Sequence, residues 1–197
     1  MSFESSAGGE RRRQIADPRE LRALAHPLRL ALLDHLMSFG EQTAAQCADA
    51  VGSTTSNCSY HLRVLGRWGL VEPGTSADAR ERPWRATSTG LTYGPVDAPR
   101  SQAAAGAALV IDELELARDE ELTREARRCH DEQPADWRAA EAFHDYRLKL
   151  TAAELTDLTS QIDRLVRPFI GMTRQDAPGD ADVAVLRLLA FRHPQST

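Results

Sequence analysis

The stretch TTSNCSYHLRVLGR, residues 54–67, places hydroxyls, an amide, a phenol and two guanidinium groups within about four turns of one helix. At helical spacing Cys58, Leu62 and Leu65 gather on one side, and Ser56, Tyr60, Arg63 and Arg67 on the other. Asn57 and Ser59 flank the polar side. This is the chemistry that reads the edges of double-stranded DNA. Arginine can be bidentate to guanine, asparagine to adenine, and serine or threonine can pair with either. Residues at the start of such a helix come nearest the bases. The expected base and near-base contacts are therefore Thr54, Thr55, Ser56, Asn57, Ser59 and Tyr60. Arg63 and Arg67, further along, are expected at phosphates. A solvated amphipathic helix has the same pattern, so the neighbouring elements must decide.

Those neighbours are the right ones. Thr43–Val51 reads as a short helix capped by Thr43, with Ala44, Cys47, Ala48 and Val51 as its apolar stripe and Gly52 as its stop. Thr54 caps the next helix, and Gly69 ends it. Two short helices joined by a tight glycine turn make a helix-turn-helix. Leu70–Pro73 and Pro83–Thr87 then read as short strands around the loop GTSADARER, forming a wing. Arg80 and Arg82 on this wing are expected at phosphates or in the minor groove. Arg85 either joins them or points back to the body, since it lies inside the second strand. Upstream, Asp17–Ala25 and Pro27–Ser38 read as helices, each with proline at its first position. Leu28, Leu32 and Leu36 give the second a core face, and Gly40 ends it.

Bulk composition bounds the rest. The 197 residues are 42% hydrophobic and 27% charged, ordinary for a globular protein. No apolar run could span a bilayer, and the first residues, MSFESSAGGERRRQ, lack the apolar core of a signal peptide. The expectation is a cytoplasmic protein without membrane contact. The net charge of −5 is not that of a blanket polycation, but it is unevenly spread. Residues 1–100 carry 12 basic and 11 acidic groups, and residues 101–197 carry 12 basic and 18 acidic. A near-neutral first half can bind DNA if its arginines share a face. Residues 1–16 are expected to be a disordered tail, with Arg11, Arg12 and Arg13 a solvated run or a set of phosphate contacts. Cys47, Cys58 and Cys129 are widely spaced and odd in number, so each reads as a small core residue.

The segments AHPLRLALLDHL, TAAQCADAVGSTTSNCSYHLRVLGRWGLVE and RERPWRATSTG together resemble the ArsR-type winged helix-turn-helix repressors. The matching marks are HPLR at His26–Arg29, the SxHLxxLxxxGLV pattern from Ser59 to Val71, and the aromatic strand after the wing. The resemblance covers about residues 17–90. It implies a homodimer that binds a (pseudo)palindromic operator and represses transcription. Metal-sensing members of the family carry paired cysteines near the helix-turn-helix, or carboxylate and histidine ligands on a C-terminal helix. Here Cys47 and Cys58 stand apart, and His26, His35, His61, His130, His144 and His193 form no pair on one helix face. His61 reads as a hydrogen-bonded structural residue.

The second half is read from periodicity alone. Residues 101–130 form one long helix, with Ala104, Ala107, Ile111 and Leu114 as a stripe that can pair with a second copy. After Pro134, residues 143–150 read as a strand. Thr151 to Glu154 is a capping box opening a helix, and residues 183–191 read as a second strand. Trp137, Phe143, Tyr146, Phe169 and Phe191 are expected in a core, or around a ligand pocket. The fold class expected is mainly α with small β: a winged helix-turn-helix over residues 17–95, then a dimerisation or effector domain over residues 100–197. That domain holds the long linking helix and a closing β-helix-β unit. No GxGxxG, P-loop, GxSxG or HExxH occurs, so neither an enzyme nor a cofactor or metal site is expected. The alternative function is a protein-interaction regulator whose C-terminal domain binds a partner or small ligand, with the winged helix as scaffold. Zinc, cadmium or arsenite titrated onto a DNA complex should therefore release no DNA through a dedicated site. Stoichiometric, chelator-reversible release, lost in Cys47→Ser or Cys58→Ser, would overturn this.

Overall fold

The computed structural model describes residues 12–75, 82–93, 101–171, 173–174 and 176–194. Four helices come first: α1 Pro18–Leu24, α2 Pro27–Phe39, α3 Ala44–Val51 and α4 Thr55–Arg67. Their ends are set as the sequence implies. The Asp17 carboxylate accepts from Arg19 N–H at 2.8 Å. Thr43 and Gln46 form a reciprocal capping box, and the Thr54 hydroxyl accepts from Asn57 N–H at 3.2 Å. The α2 cap was not foreseen: His26 turns its ring inward and its Nδ1 accepts from Leu28 N–H at 3.2 Å. Gly52, between α3 and α4, has φ +63°, a left-handed conformation that glycine adopts without steric cost.

The strands follow the expected wing. β2 Val71–Pro73 pairs antiparallel with β3 Trp84–Ala86, and Gln42 bridges to Trp84 on the other side. The loop tip, residues 76–81, lies outside the described residues, as does 94–100. Two short strands were not expected. β1 Arg13–Ile15 pairs in parallel with β4 Leu91–Tyr93. The tail expected through residue 16 therefore ends earlier, and Ile15 is fully buried. Such a three-residue strand carries no periodicity to read. Only its distant partner makes it one.

Helix α5, Gln102–Arg128, is the long helix expected. Its stripe of Ala104, Ala107 and Ile111 is used differently from the expectation. It packs on α1 in the same chain and joins the core formed by Leu21, Leu24, Leu32, Leu36, Leu62 and Leu65. Small alanine side chains allow that close approach. The stripe is thus not available to a second copy. Two polar contacts hold α5 in place. Tyr93 Oη donates to Glu115 Oε1 at 2.6 Å, and Arg118 pairs with Asp34 of α2 at 2.7 Å. Burial raises the Glu115 carboxyl above its ordinary value, and burial with the nearby Glu115 raises the Tyr93 phenol.

The C-terminal unit is only partly as expected. α6 Ala135–Ala140 follows a turn, and α7 Ala152–Val166 has its Thr151–Glu154 capping box. The segments 143–150 and 183–191 are not strands: no ladder joins them to each other or to any other described residue. The aromatic core expected there is absent too. Phe143, Tyr146, Phe169 and Phe191 are exposed and Trp137 is half-buried, because no second layer among the described residues packs over them. Cys129 likewise lies partly open, 3.3 Å from Glu125 Oε1, whereas Cys47 and Cys58 are in the core. No described residue beyond Ile111 is buried. Cooperative stability therefore resides in the N-terminal unit. Leu62→Ala should cost about 2–5 kcal/mol there, read from the shift of the urea midpoint at unchanged slope.

Candidate nucleic-acid interface

Helix α4 is fixed on one side and open on the other. Cys58, Leu62 and Leu65 are completely buried against α2 and α3. Gly66 lets Trp84 of the wing approach: a Cβ on Gly66 would stand 3.1 Å from the indole ring. The C-terminal end of α4 is held by Arg13, whose Nη2 donates to Trp68 O at 2.7 Å and whose Nη1 donates to Gly69 O. The same guanidinium pairs with Glu20 at 2.6 Å. Arg13 is thus a structural clamp, not a tail reaching for phosphates, and Arg12 pairs with Asp163 at 3.2 Å. Arg11 lies outside the described residues.

The opposite side presents the residues singled out in the sequence. Thr54, Thr55, Ser56, Asn57, Tyr60, Arg63 and Arg67 are exposed, and Ser59 is half-buried. Tyr60 is 56% exposed, unusual for a tyrosine on an otherwise well-packed helix. Thr54 spends its hydroxyl on the cap. The Asn57 amide donates to Ser53 Oγ at 3.1 Å, which holds the side chain against the helix start. Beside this face an open hollow of about 600 Å³ separates α4 from the base of the wing, bordered by Arg63, Arg67, Glu72 and Trp84. Arg82 is exposed where the wing rises. Arg85 is not part of the group. Its Nε donates to Glu72 across the hairpin at 2.8 Å, and its Nη1 lies 3.9 Å from Glu41. Arg80 lies outside the described residues.

Residues 24–73 match the helix-turn-helix domain family. The chain carries a winged helix-turn-helix domain. It is a DNA-binding fold of transcription regulation, and α4 is the second helix of the α3–α4 pair. Solved structures similar to the chain include one described as a possible transcriptional regulator for arsenical resistance. That likeness has 30% identity over 54% of this chain and 95% of that one, with a TM-score of 0.31. Another is a transcriptional regulator homologue from Pyrococcus horikoshii OT3, with 21% identity, 52% and 93% coverage, and a TM-score of 0.32. A third is a mutant of S. aureus MepR, with 15% identity, 77% and 86% coverage, and a TM-score of 0.31. No curated protein matches the chain. No helix among the described residues is long and apolar enough to cross a membrane, and no described cluster of three or more His, Cys, Asp or Glu could hold a metal ion.

One feature of the winged helix escaped sequence reading. His61, on the inner flank of α4, is buried and stacks on His26 of the α2 cap, with ring centroids 4.5 Å apart. Tyr60 meets His61 edge-on at 5.1 Å. The hydrogen bond expected for His61 is not formed at its Nδ1, which is buried without a partner among the described residues. Thirty-five residues of sequence separate the two histidines, so spacing alone gave no signal. Burial lowers both imidazoles below the ordinary 6.5, and Arg29 lowers them further. Both rings are thus held neutral in the folded domain and charge more readily in the unfolded chain. Their contribution is fully present above about pH 6.5 and is lost as the pH falls through the lower folded values. Between pH 7.5 and 5, wild-type stability should therefore fall more than that of a His61→Gln variant, measured by thermal melts. Equal losses in the two proteins would show that the pair does not titrate with folding.

Proposed function

We propose that this chain is a transcriptional repressor of the ArsR type that binds a (pseudo)palindromic operator as a homodimer. The observation that carries the reading is the bare outer face of α4. Its inner face is locked at both ends, yet Ser56, Asn57, Tyr60, Arg63 and Arg67 stay exposed. Such a face is rigid in backbone and rich in donors, as base reading requires. Arg63, Arg67, Arg82 and Arg80 supply phosphate neutralisation around it. Two symmetric copies would bring two such helices to half-sites about one DNA turn apart. No catalytic role, metal or cofactor belongs to this reading, which leaves room for a small-molecule effector.

A second reading keeps the winged helix as scaffold and makes the C-terminal half the working surface for a protein partner or ligand. The exposed apolar residues after 143 favour it. DNA binding with a steep salt dependence separates the two, since released counterions accompany every phosphate contact.

The roles assigned to α4 and the wing are separable by experiment. Asn57→Ala or Tyr60→Ala should cost about 1–3 kcal/mol on the best operator and little on random DNA. Arg80→Ala or Arg82→Ala should weaken both kinds of DNA and flatten the salt slope by up to about one unit for each phosphate no longer neutralised. Binding isotherms on both duplexes at several salt concentrations provide the check. Equal losses for all four variants on both duplexes would end this division of labour.

A further inference from the structure

We infer that residues 143–150 and 183–191 form their sheet with the same segments of a second copy, so that the C-terminal unit is completed between chains. The inference rests on the homodimer reading and specifies its contact. The first segment spaces Phe143, Tyr146, Leu148 and Leu150 as a strand does and the second is almost continuously apolar, yet neither makes a backbone–backbone hydrogen bond to any other described residue. Their apolar side chains stand open: Leu148 is 60% and Val185 74% exposed. The helix between them, α7, has a reciprocal cap and an apolar face, but buries no residue, and its Leu165 is 71% exposed. A β-helix-β unit with no buried residue lacks the layer it must pack on. Unpaired apolar edges of this length are a liability unless another strand covers them.

The same surface continues onto α5. Leu109 and Leu116, seven residues apart, lie opposite the alanine stripe that packs on α1, and both are exposed. The two segments flank the far half of this helix. The Arg127 guanidinium sits 4.5 Å above the Phe143 ring, and Arg187 pairs with Asp119. Charge favours a like chain as the occupant. Residues 112–128 carry seven acids and four bases, whereas 143–150 and 183–191 each carry one excess positive charge. Arg187 is engaged by its own α5, so it is Lys149, in no ion pair among the described residues, that would bring positive charge from one copy to the acidic α5 of another. A twofold arrangement satisfies both copies at once, since each offers the same two edges and the same helix. The exposed segments, α7 and the outer face of α5 together supply the roughly 20–30 residues per side that a stable interface uses.

The test uses the full-length protein at the concentration at which it binds DNA. Sedimentation gives its mass, to be compared with twice 21.7 kDa. A sample mixed from isotope-labelled and unlabelled copies then reports contacts between chains by filtered NOEs. The expected result is a dimer with slow amide exchange and interchain NOEs in both segments, and a monomer in Leu186→Pro and Leu148→Glu. Amide protection around Leu36 and Leu62 shows whether these variants keep a folded winged helix. A dimer whose interchain NOEs arise elsewhere, with both variants still dimeric, would overturn the strand exchange and leave the homodimer standing. A monomer that still bound its operator would overturn both. Segments protected within a monomer, or only in a complex with a different protein, would overturn the inference as well.

Discussion

The face that the winged helix presents outward depends on the burial of one side of α4. Cys58, Leu62 and Leu65 have no exposure, and they lock the helix against α2 and α3 in a single rotational setting. Each of the two leucines contributes about 1.5–3 kcal/mol on burial, more than a surface contact can oppose. Once that setting is fixed, Ser56, Asn57, Tyr60, Arg63 and Arg67 have nowhere to go but solvent. The polar face is not held by interactions of its own. It is positioned by the apolar face behind it, and a one-residue change in helix phase would bury a guanidinium and expose a leucine.

The ends of α4 are held by different means. Thr54 and the left-handed Gly52 set the start locally, through a cap and a turn. The other end depends on remote groups. Arg13, more than fifty residues earlier, closes the last carbonyls, and Trp84 packs where Gly66 leaves room. The strand that carries Arg13 is in turn held by β4, which leads to α5. The position of α4 thus depends on the β1–β4 pair as well as on its own packing. The His26–His61 stack adds a contact between two imidazoles that burial holds in their uncharged form.

Helix α5 divides the molecule. Its first half belongs to the winged-helix core, through alanines that let it lie close to α1. Its second half is acidic and meets the extended segments at Arg127 with Phe143 and Asp119 with Arg187, whereas α7 reaches the first residues through Asp163 and Arg12. The excess negative charge of the chain lies in residues 101–197, whereas the arginines of α4 belong to the near-neutral first half. An apolar surface with no inner layer, next to a core complete in itself, fits a unit whose packing partner is supplied from outside the chain.

The sequence by itself determined the helices of the first half, the caps of α1, α3 and α4, the hairpin and which face of α4 stays polar and exposed. These are local properties: apolar spacing at Leu28, Leu32 and Leu36, glycine and proline stops, and threonine caps act within a few residues. α7 was legible for the same reason. Tertiary structure decided what depends on distance along the chain. It made Arg13 a clamp, paired Arg85 with Glu72, stacked His61 on His26, and gave the Ala104–Ile111 stripe to α1. It also withheld the ladder that alternation at 143–150 and the apolar, branched run at 183–191 implied. Alternation records that a segment has two unlike faces. A strand exists only where another backbone meets its edge, and no periodicity within one chain says which backbone that is.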